Sequence, residues 1–322
     1  MKDRVVVLSR AGERSIPGEH IERIRERADT VFVVRREAPT PAEAVELLRG
    51  ATVLATTNVT LPLLDDALLA RLPRLRSIVL YATGYEHVDV DLLERHGVLL
   101  QTLPTYATTA VAEHALALML SLATRAHLAN DKARGQAHPR TSLRGVELGG
   151  RTLGIIGVGR IGTHLARIGG GLGMRVLGSD TDRCAAAAAA ERGMEMASTD
   201  EVIARADVVA LCASTDRHEP MIIDAERVRA LDEGAFLVNI GRPGLVDTHA
   251  VVDALRAGRL RGYAVDDIVL DPVAHSDLIS EGRVLQTAHS AWWRDEVLER
   301  GADLFGLAVL ESLDLAAKGR VA

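Results

Sequence analysis

The sequence predicts an α/β protein made of two parallel-sheet units, and three observations carry that prediction. Short β-branched runs alternate with helical patterns from the first residues onward, the rhythm of parallel strands joined by covering helices. The alternation restarts at Thr152, directly before a glycine-rich turn. The chain's 322 residues exceed one ordinary core and suit about two domains of roughly 150 residues each.

In chain order, Val5–Leu8, Thr30–Val34, Thr52–Thr56, Ser77–Tyr81 and Val98–Thr102 read as strands, spaced widely enough for a helix between neighbours. An Ala/Leu-rich segment from Thr109 to Ala126 suits a helix that leaves the first unit, and a polar, loop-like stretch from Arg134 to Gly150 follows. The second series has strands at Thr152–Ile156, Arg175–Ser179, Val208–Cys212, Phe236–Ile240, Tyr263–Asp267 and Val284–Thr287. A helix from Arg160 is expected to stop at Gly169-Gly170-Gly171, since an interior glycine costs about 1 kcal/mol. The Ala185–Ala190 run suits a covering helix over Arg183–Arg192, alanine being the best helix former. Ser198-Thr199-Asp200-Glu201 is a capping box that starts the helix before Val208. An amphipathic stretch from Asp295 to Leu315 has no strand left to serve in the second series, so it is expected to return to the first unit.

Composition narrows the function. Lys+Arg 38 against Asp+Glu 44 leaves a net charge of −6 with no basic block, which removes the electrostatic motive for binding nucleic acid or an anionic membrane. The longest apolar stretch, near residues 107 to 123, carries Glu113 and His114 in its middle, and the N-terminus shows no signal-peptide pattern. A soluble, cytoplasmic chain is expected. Cys184 and Cys212 are isolated, so neither a disulfide framework nor a metal site is indicated.

The glycine-rich turn is Gly157-Val158-Gly159-Arg160-Ile161-Gly162, a GxGxxG between an apolar strand and a helix. In that setting the first glycine permits the tight turn, the second admits a pyrophosphate to the backbone, and the third lets helix and strand pack closely. Free N–H groups and the helix dipole then stabilise phosphate charge. Asp180 ends the next strand, where a carboxylate takes ribose hydroxyls and repels a 2′-phosphate, so NAD is expected over NADP. Arg242, Asp271 and His289 each follow a strand of the second series, at the sheet edge where open α/β folds bind ligands.

The chain resembles the D-isomer-specific 2-hydroxyacid dehydrogenase family along nearly its whole length. The matching stretches are Thr83-Gly84-Tyr85-Glu86-His87-Val88-Asp89, Val111-Ala112-Glu113-His114, Gly154 through Gly162, Val238-Asn239-Ile240-Gly241-Arg242, Ala264-Val265-Asp266 and His289-Ser290-Ala291-Trp292-Trp293. The resemblance implies two doubly wound domains, a Rossmann NAD-binding domain at 104–290 inserted into a discontinuous flavodoxin-like substrate domain at 1–103 and 291–322. It implies an NAD-dependent oxidoreductase that interconverts a small 2-keto acid and its D-2-hydroxy acid, working as a homodimer. Arg242 would orient the α-carboxylate and polarise the carbonyl, and His289 would donate the proton. Asp271 stands where the family usually has glutamate and would orient the imidazole. The N–H groups of Thr83 and Gly84 would cradle the substrate carboxylate. Thr108, Gly157, Gly159, Arg160, Ile161, Gly162, Asp180, Cys212, Ile240, Gly241, Arg242, Asp266, His289 and Ala291 would face the cofactor. Cys212 reads as a small apolar residue and not a nucleophile, with no base near it in sequence.

Three departures bear on the substrate. Thr56 stands where some members have a basic residue, Ser214-Thr215-Asp216-Arg217-His218 replaces a proline-led segment, and Pro243 interrupts the usual Arg-Gly pair. Two alternatives share the fold: oxidation of a small anion such as phosphite, and an NADH-sensing interaction protein of the co-repressor type, which the absence of Pro/Ser-rich tails disfavours. Tyr81, Tyr85 and Tyr106 are further candidates for substrate contact, and Trp292 and Trp293 for a pocket wall.

Overall fold

The computed structural model describes residues 2–138, 141–214 and 221–318. The chain divides into two compact units, Met1–Ala107 with Arg294–Ala322, and Thr108–Trp293. Both crossings fall a few residues after the positions suggested by the sequence.

The first unit holds a parallel sheet of β1 (Asp3–Ser9), β2 (Ala28–Val34), β3 (Val53–Thr57), β4 (Ser77–Tyr81) and β5 (Leu99–Gln101) in the order β2-β1-β3-β4-β5. That is the flavodoxin-like doubly wound order. Val5, Val6, Val7 and Leu8 are all fully buried, so β1 is a continuous apolar run and not an alternating one. The helix Asp295–Lys318 does return here, packing on the helix Gly18–Arg27 and on β3 and β4. Ser77 Oγ lies 2.8 Å from Ser312 Oγ, and a Cβ on Gly301 would fall 2.0 Å from the Tyr81 hydroxyl, so only glycine permits the helix this close to β4.

The second unit holds β6 (Thr152–Ile156), β7 (Arg175–Ser179), β8 (Glu195–Met196), β9 (Val208–Leu211), β10 (Phe236–Asn239), β11 (Gly262–Val265) and β12 (Val284–Gln286). Their order is β12-β11-β10-β9-β6-β7-β8, and every pairing is parallel. The chain winds outward from β6 through β7 and β8, then crosses to β9 and winds the other way. The crevice between β6 and β9 is therefore the switch point of a Rossmann sheet. The helix Thr108–Thr124 covers β10 and β11 with Ala112, Ala115, Leu118, Met119 and Leu122. It stops at Arg125, whose φ is 58°, and a second helix runs on over Ala126–Ala133, where the sequence suggested one helix to Ala126.

The helix Arg160–Gly171 ends in the glycine triplet, the alanine run lies in Arg183–Glu191, and the Ser198–Glu201 capping box is formed. Strand β8 went unread because two residues carry no periodicity. Strands β9 to β12 stop one or two residues before the sequence suggested. The chain leaves the sheet there, which frees Cys212, Ile240, Asp266, Asp267 and Thr287 for loops. No described helix is long and apolar enough to cross a membrane.

Candidate active site

The glycine turn after β6 is set by sterics. Gly157 has φ +93°, and a Cβ there would lie 2.5 Å from the Ala213 backbone nitrogen. A Cβ on Gly162 would lie 2.0 Å from the Gly157 carbonyl oxygen. No atom of the described residues outside the turn itself stands within 4 Å of where a Cβ on Gly159 would lie, so the middle glycine is sterically open. Arg160 and Ile161 begin the helix, whose first-turn N–H groups lack intrahelical partners. Asp180 Oδ2 accepts the Val158 N–H at 2.7 Å and Oδ1 accepts the Asp182 N–H at 2.9 Å, tying the acid to the turn. Each oxygen keeps a further lone pair for a hydroxyl. Asp182, not Asp180, caps the following helix. Two closed positions, one open one and an acid at the next strand end fit a dinucleotide's diphosphate and ribose.

Arg242 is positioned by Asn239, which is 1% exposed at the end of β10. The Asn239 side chain accepts the Gly241 N–H at 3.0 Å and donates to the Arg242 carbonyl at 2.8 Å, so one buried amide fixes the whole exit. The Ile240 N–H continues the ladder to the Leu211 carbonyl. Arg242 itself is extended, donates from Nη1 to the Gly241 carbonyl at 3.0 Å, and precedes the 3₁₀ turn Pro243–Leu245. Cys212 follows β9, and burial pushes its thiol up to about 12, so it stays protonated at neutral pH.

The loop after β12 passes through the left-handed region at two residues that carry a Cβ, Ala288 (φ 43°) and His289 (φ 55°). Each costs about 1–3 kcal/mol and persists only where surrounding bonds enforce it. Asp266 enforces it: Oδ1 accepts the Thr287 hydroxyl and the Ser290 N–H, both at 2.8 Å, and Oδ2 accepts the Ala291 N–H at 3.0 Å. Because the Thr287 hydroxyl donates to a carboxylate, it accepts from Nε2 of the buried His114 at 2.9 Å. His289 is thereby held out with its side chain 55% exposed, and its Nδ1 lies 3.8 Å from Asp267 Oδ2.

Asp271, the acid expected to orient His289, is not brought to it. Its Oδ1 accepts the N–H groups of Val273 and Ala274, both at 2.8 Å, which holds the exposed carboxyl below its usual range. The short aspartate folds back on its own turn, and among the described residues the acid within ion-pair distance of His289 is Asp267.

In the first unit, Thr83 and Gly84 follow β4, and Thr83 Oγ1 donates to the Leu103 carbonyl at 3.1 Å. Thr108 opens the helix that begins the second unit. Tyr81 donates to the Leu298 carbonyl and meets Tyr106 and Phe305 edge-on, so it belongs to that unit's core, while Tyr85 is exposed. Trp292 and Trp293 pack edge to face at 5.0 Å, with Trp293 largely exposed. Among the described residues, the one grouping of three potential metal ligands is Glu19, His20 and Asp303, where His20 Nε2 pairs with Asp303 Oδ1 at 2.6 Å. Thr215 to His218 of the substituted segment lie outside the described residues.

Residues 116–291 match the sequence model for the NAD binding domain of D-isomer specific 2-hydroxyacid dehydrogenases. A glyoxylate reductase of Pyrococcus furiosus is 33% identical over 301 residues, covering 90% of this chain and 88% of that protein. The chain belongs to the D-isomer specific 2-hydroxyacid dehydrogenase family. A D-3-phosphoglycerate dehydrogenase of Mycobacterium leprae is also 33% identical, over 88% of this chain, but the chain spans about half that relative's length (51%). Among solved structures, the D-lactate dehydrogenase of Aquifex aeolicus complexed with NAD and lactic acid is 26% identical with a TM-score of 0.74, over 98% of each chain. The second unit is thus the NAD(P)-binding domain of a family of oxidoreductases.

Sequence reasoning gave no positioning role to Asn239, Asp266, Asp267, Thr287 and His114. A polar residue ending an apolar strand was the available signal for Asn239, and the Asp266-Asp267 pair was the signal for Asp267. Nothing in the sequence joined His114 to Thr287, which is 173 residues away.

Proposed function

We propose that the chain reduces a small 2-keto acid to its D-2-hydroxy acid with NADH and runs the reverse oxidation with NAD. One observation carries this reading: the exits of β6, β10 and β12 present a diphosphate cradle, a guanidinium and an imidazole along one edge of a single parallel sheet. The nicotinamide, when bound, supplies or accepts the hydride at the substrate's C2. Arg242 binds the α-carboxylate through its planar fork and draws electron density from the carbonyl. His289, protonated, gives its proton to the carbonyl oxygen during reduction and regains one from the hydroxyl during oxidation. The Asp180 carboxylate supports NAD over NADP, since a 2′-phosphate would meet its negative charge.

The substrate's tail is small and uncharged in this reading. Thr56, where a basic residue would pair with a distal phosphate, is neutral and fully buried, and its hydroxyl lies 3.0 Å from Thr60 Oγ1. The relative named glyoxylate reductase fits that chemistry better than the one named for phosphoglycerate.

A panel of 2-keto acids at fixed NADH, varied in length, branching and terminal charge, tests the reading. Turnover is expected on short uncharged members, and His289→Asn is expected to lower it by on the order of 10²-fold. No turnover across the panel, or near-normal turnover in that variant, overturns the assignment.

A further inference from the structure

We propose that Asp267 is the positioning residue that orients His289, in place of Asp271; this rests on His289 being the proton donor proposed above. Asp267 Oδ1 accepts the Ile268 N–H at 2.7 Å, which turns Oδ2 toward the His289 ring 3.8 Å away. A movement of under about 1 Å converts this ion-pair distance into a hydrogen bond. The exposed ring has room for that movement, whereas the Ala288–His289 backbone is already fixed by Asp266.

Asp271 competes poorly for the same ring. Its carboxylate already satisfies two backbone N–H groups, and turning it toward His289 would strand both. The loss of one methylene relative to the family's usual glutamate makes the backbone turn the nearer partner. Asp267 sits one residue beyond the loop clamp Asp266, so the adjacent acids divide the work: the first holds the loop's backbone and the second faces the ring.

The division fixes which ring nitrogen reacts. With a carboxylate facing Nδ1, that nitrogen keeps its proton, and Nε2 is left to exchange protons with the substrate oxygen. Free imidazole in water favours the opposite tautomer, so the arrangement has a spectroscopic signature.

The test is the ¹⁵N spectrum of the full chain labelled at histidine, with His289 assigned by its loss in His289→Asn and read at alkaline pH, where imidazoles are neutral. The wild type is expected to show His289 mainly as the Nδ1–H tautomer. Asp267→Asn is expected to shift it to Nε2–H and to lower kcat about 10-fold with little change in KM, and Asp267→Glu to restore the wild-type tautomer. Asp271→Asn is expected to leave the tautomer as it is. A wild type already in the Nε2–H form, a tautomer indifferent to Asp267→Asn, or one that changes with Asp271→Asn overturns the proposal. The spectrum reads the Asp267–His289 contact without turnover, so an absence of keto-acid reduction would sink the proposed reaction and leave this contact separately decided.

Discussion

Two junctions on the same edge of the second sheet, the glycine turn after β6 and the loop after β12, hold their backbones by opposite means. The turn uses absence of side chains: Gly157 occupies positive φ without cost, and Gly162 lets the helix close on the turn. The β12 loop places Ala288 and His289 in the same left-handed region with their Cβ atoms present, and three hydrogen bonds accepted by the Asp266 carboxylate oppose the strain. The first junction is built from local chemistry and the second from a carboxylate at the exit of the neighbouring strand β11. In the proposed reading the turn cradles a large anion and needs open backbone, whereas His289 donates a proton and needs its side chain held outward against resistance.

The largest expected effect lies at the turn. Gly162→Ala puts a Cβ into the Gly157 carbonyl and is expected to lower stability by roughly 2–3 kcal/mol and to abolish NAD(H) binding in calorimetry. Unaltered binding would mean the turn relaxes freely, and the steric contrast would fail. Asp266→Ala removes the loop's acceptors and is expected to cost about 1–3 kcal/mol in denaturant unfolding, with a fall in turnover. Adding Ala288→Gly to that variant is expected to return about 1 kcal/mol, because glycine tolerates the left-handed backbone. If the two substitutions are additive with no recovery, Asp266 does not oppose strain at that loop. The smallest effect is expected at Asp180→Ala, which should relax the NAD/NADP ratio of kcat/KM by on the order of tenfold. An unchanged ratio would confine Asp180 to holding the Val158 N–H.

Much of the fold was legible because apolar periodicity and helix caps act within a few residues. The strands other than β8 and the Ser198–Glu201 box follow from such local terms, and the return of the C-terminal helix follows from there being no strand left for it to serve. The fingerprint was legible for the same reason, its three glycines and Asp180 being spaced by the geometry of one βαβ unit. The acid beside His289 was not. A family-like position pointed to Asp271, but the two N–H groups that capture it arise only once its own turn is folded. The Arg125 break and the two-residue β8 escaped notice because neither carries a pattern in sequence.

By itself, the amino-acid sequence determined two α/β units, the dinucleotide cradle, and the presence of Arg242 and His289 at strand exits, since each depends on side-chain type and spacing along one element. Tertiary structure alone decided which carboxylate faces the imidazole, that His114 reaches Thr287, and that Asn239 clamps the Arg242 exit. These depend on contacts between polar groups far apart in the chain or at the end of a folded strand, which chain order does not encode and the packing of neighbouring loops sets.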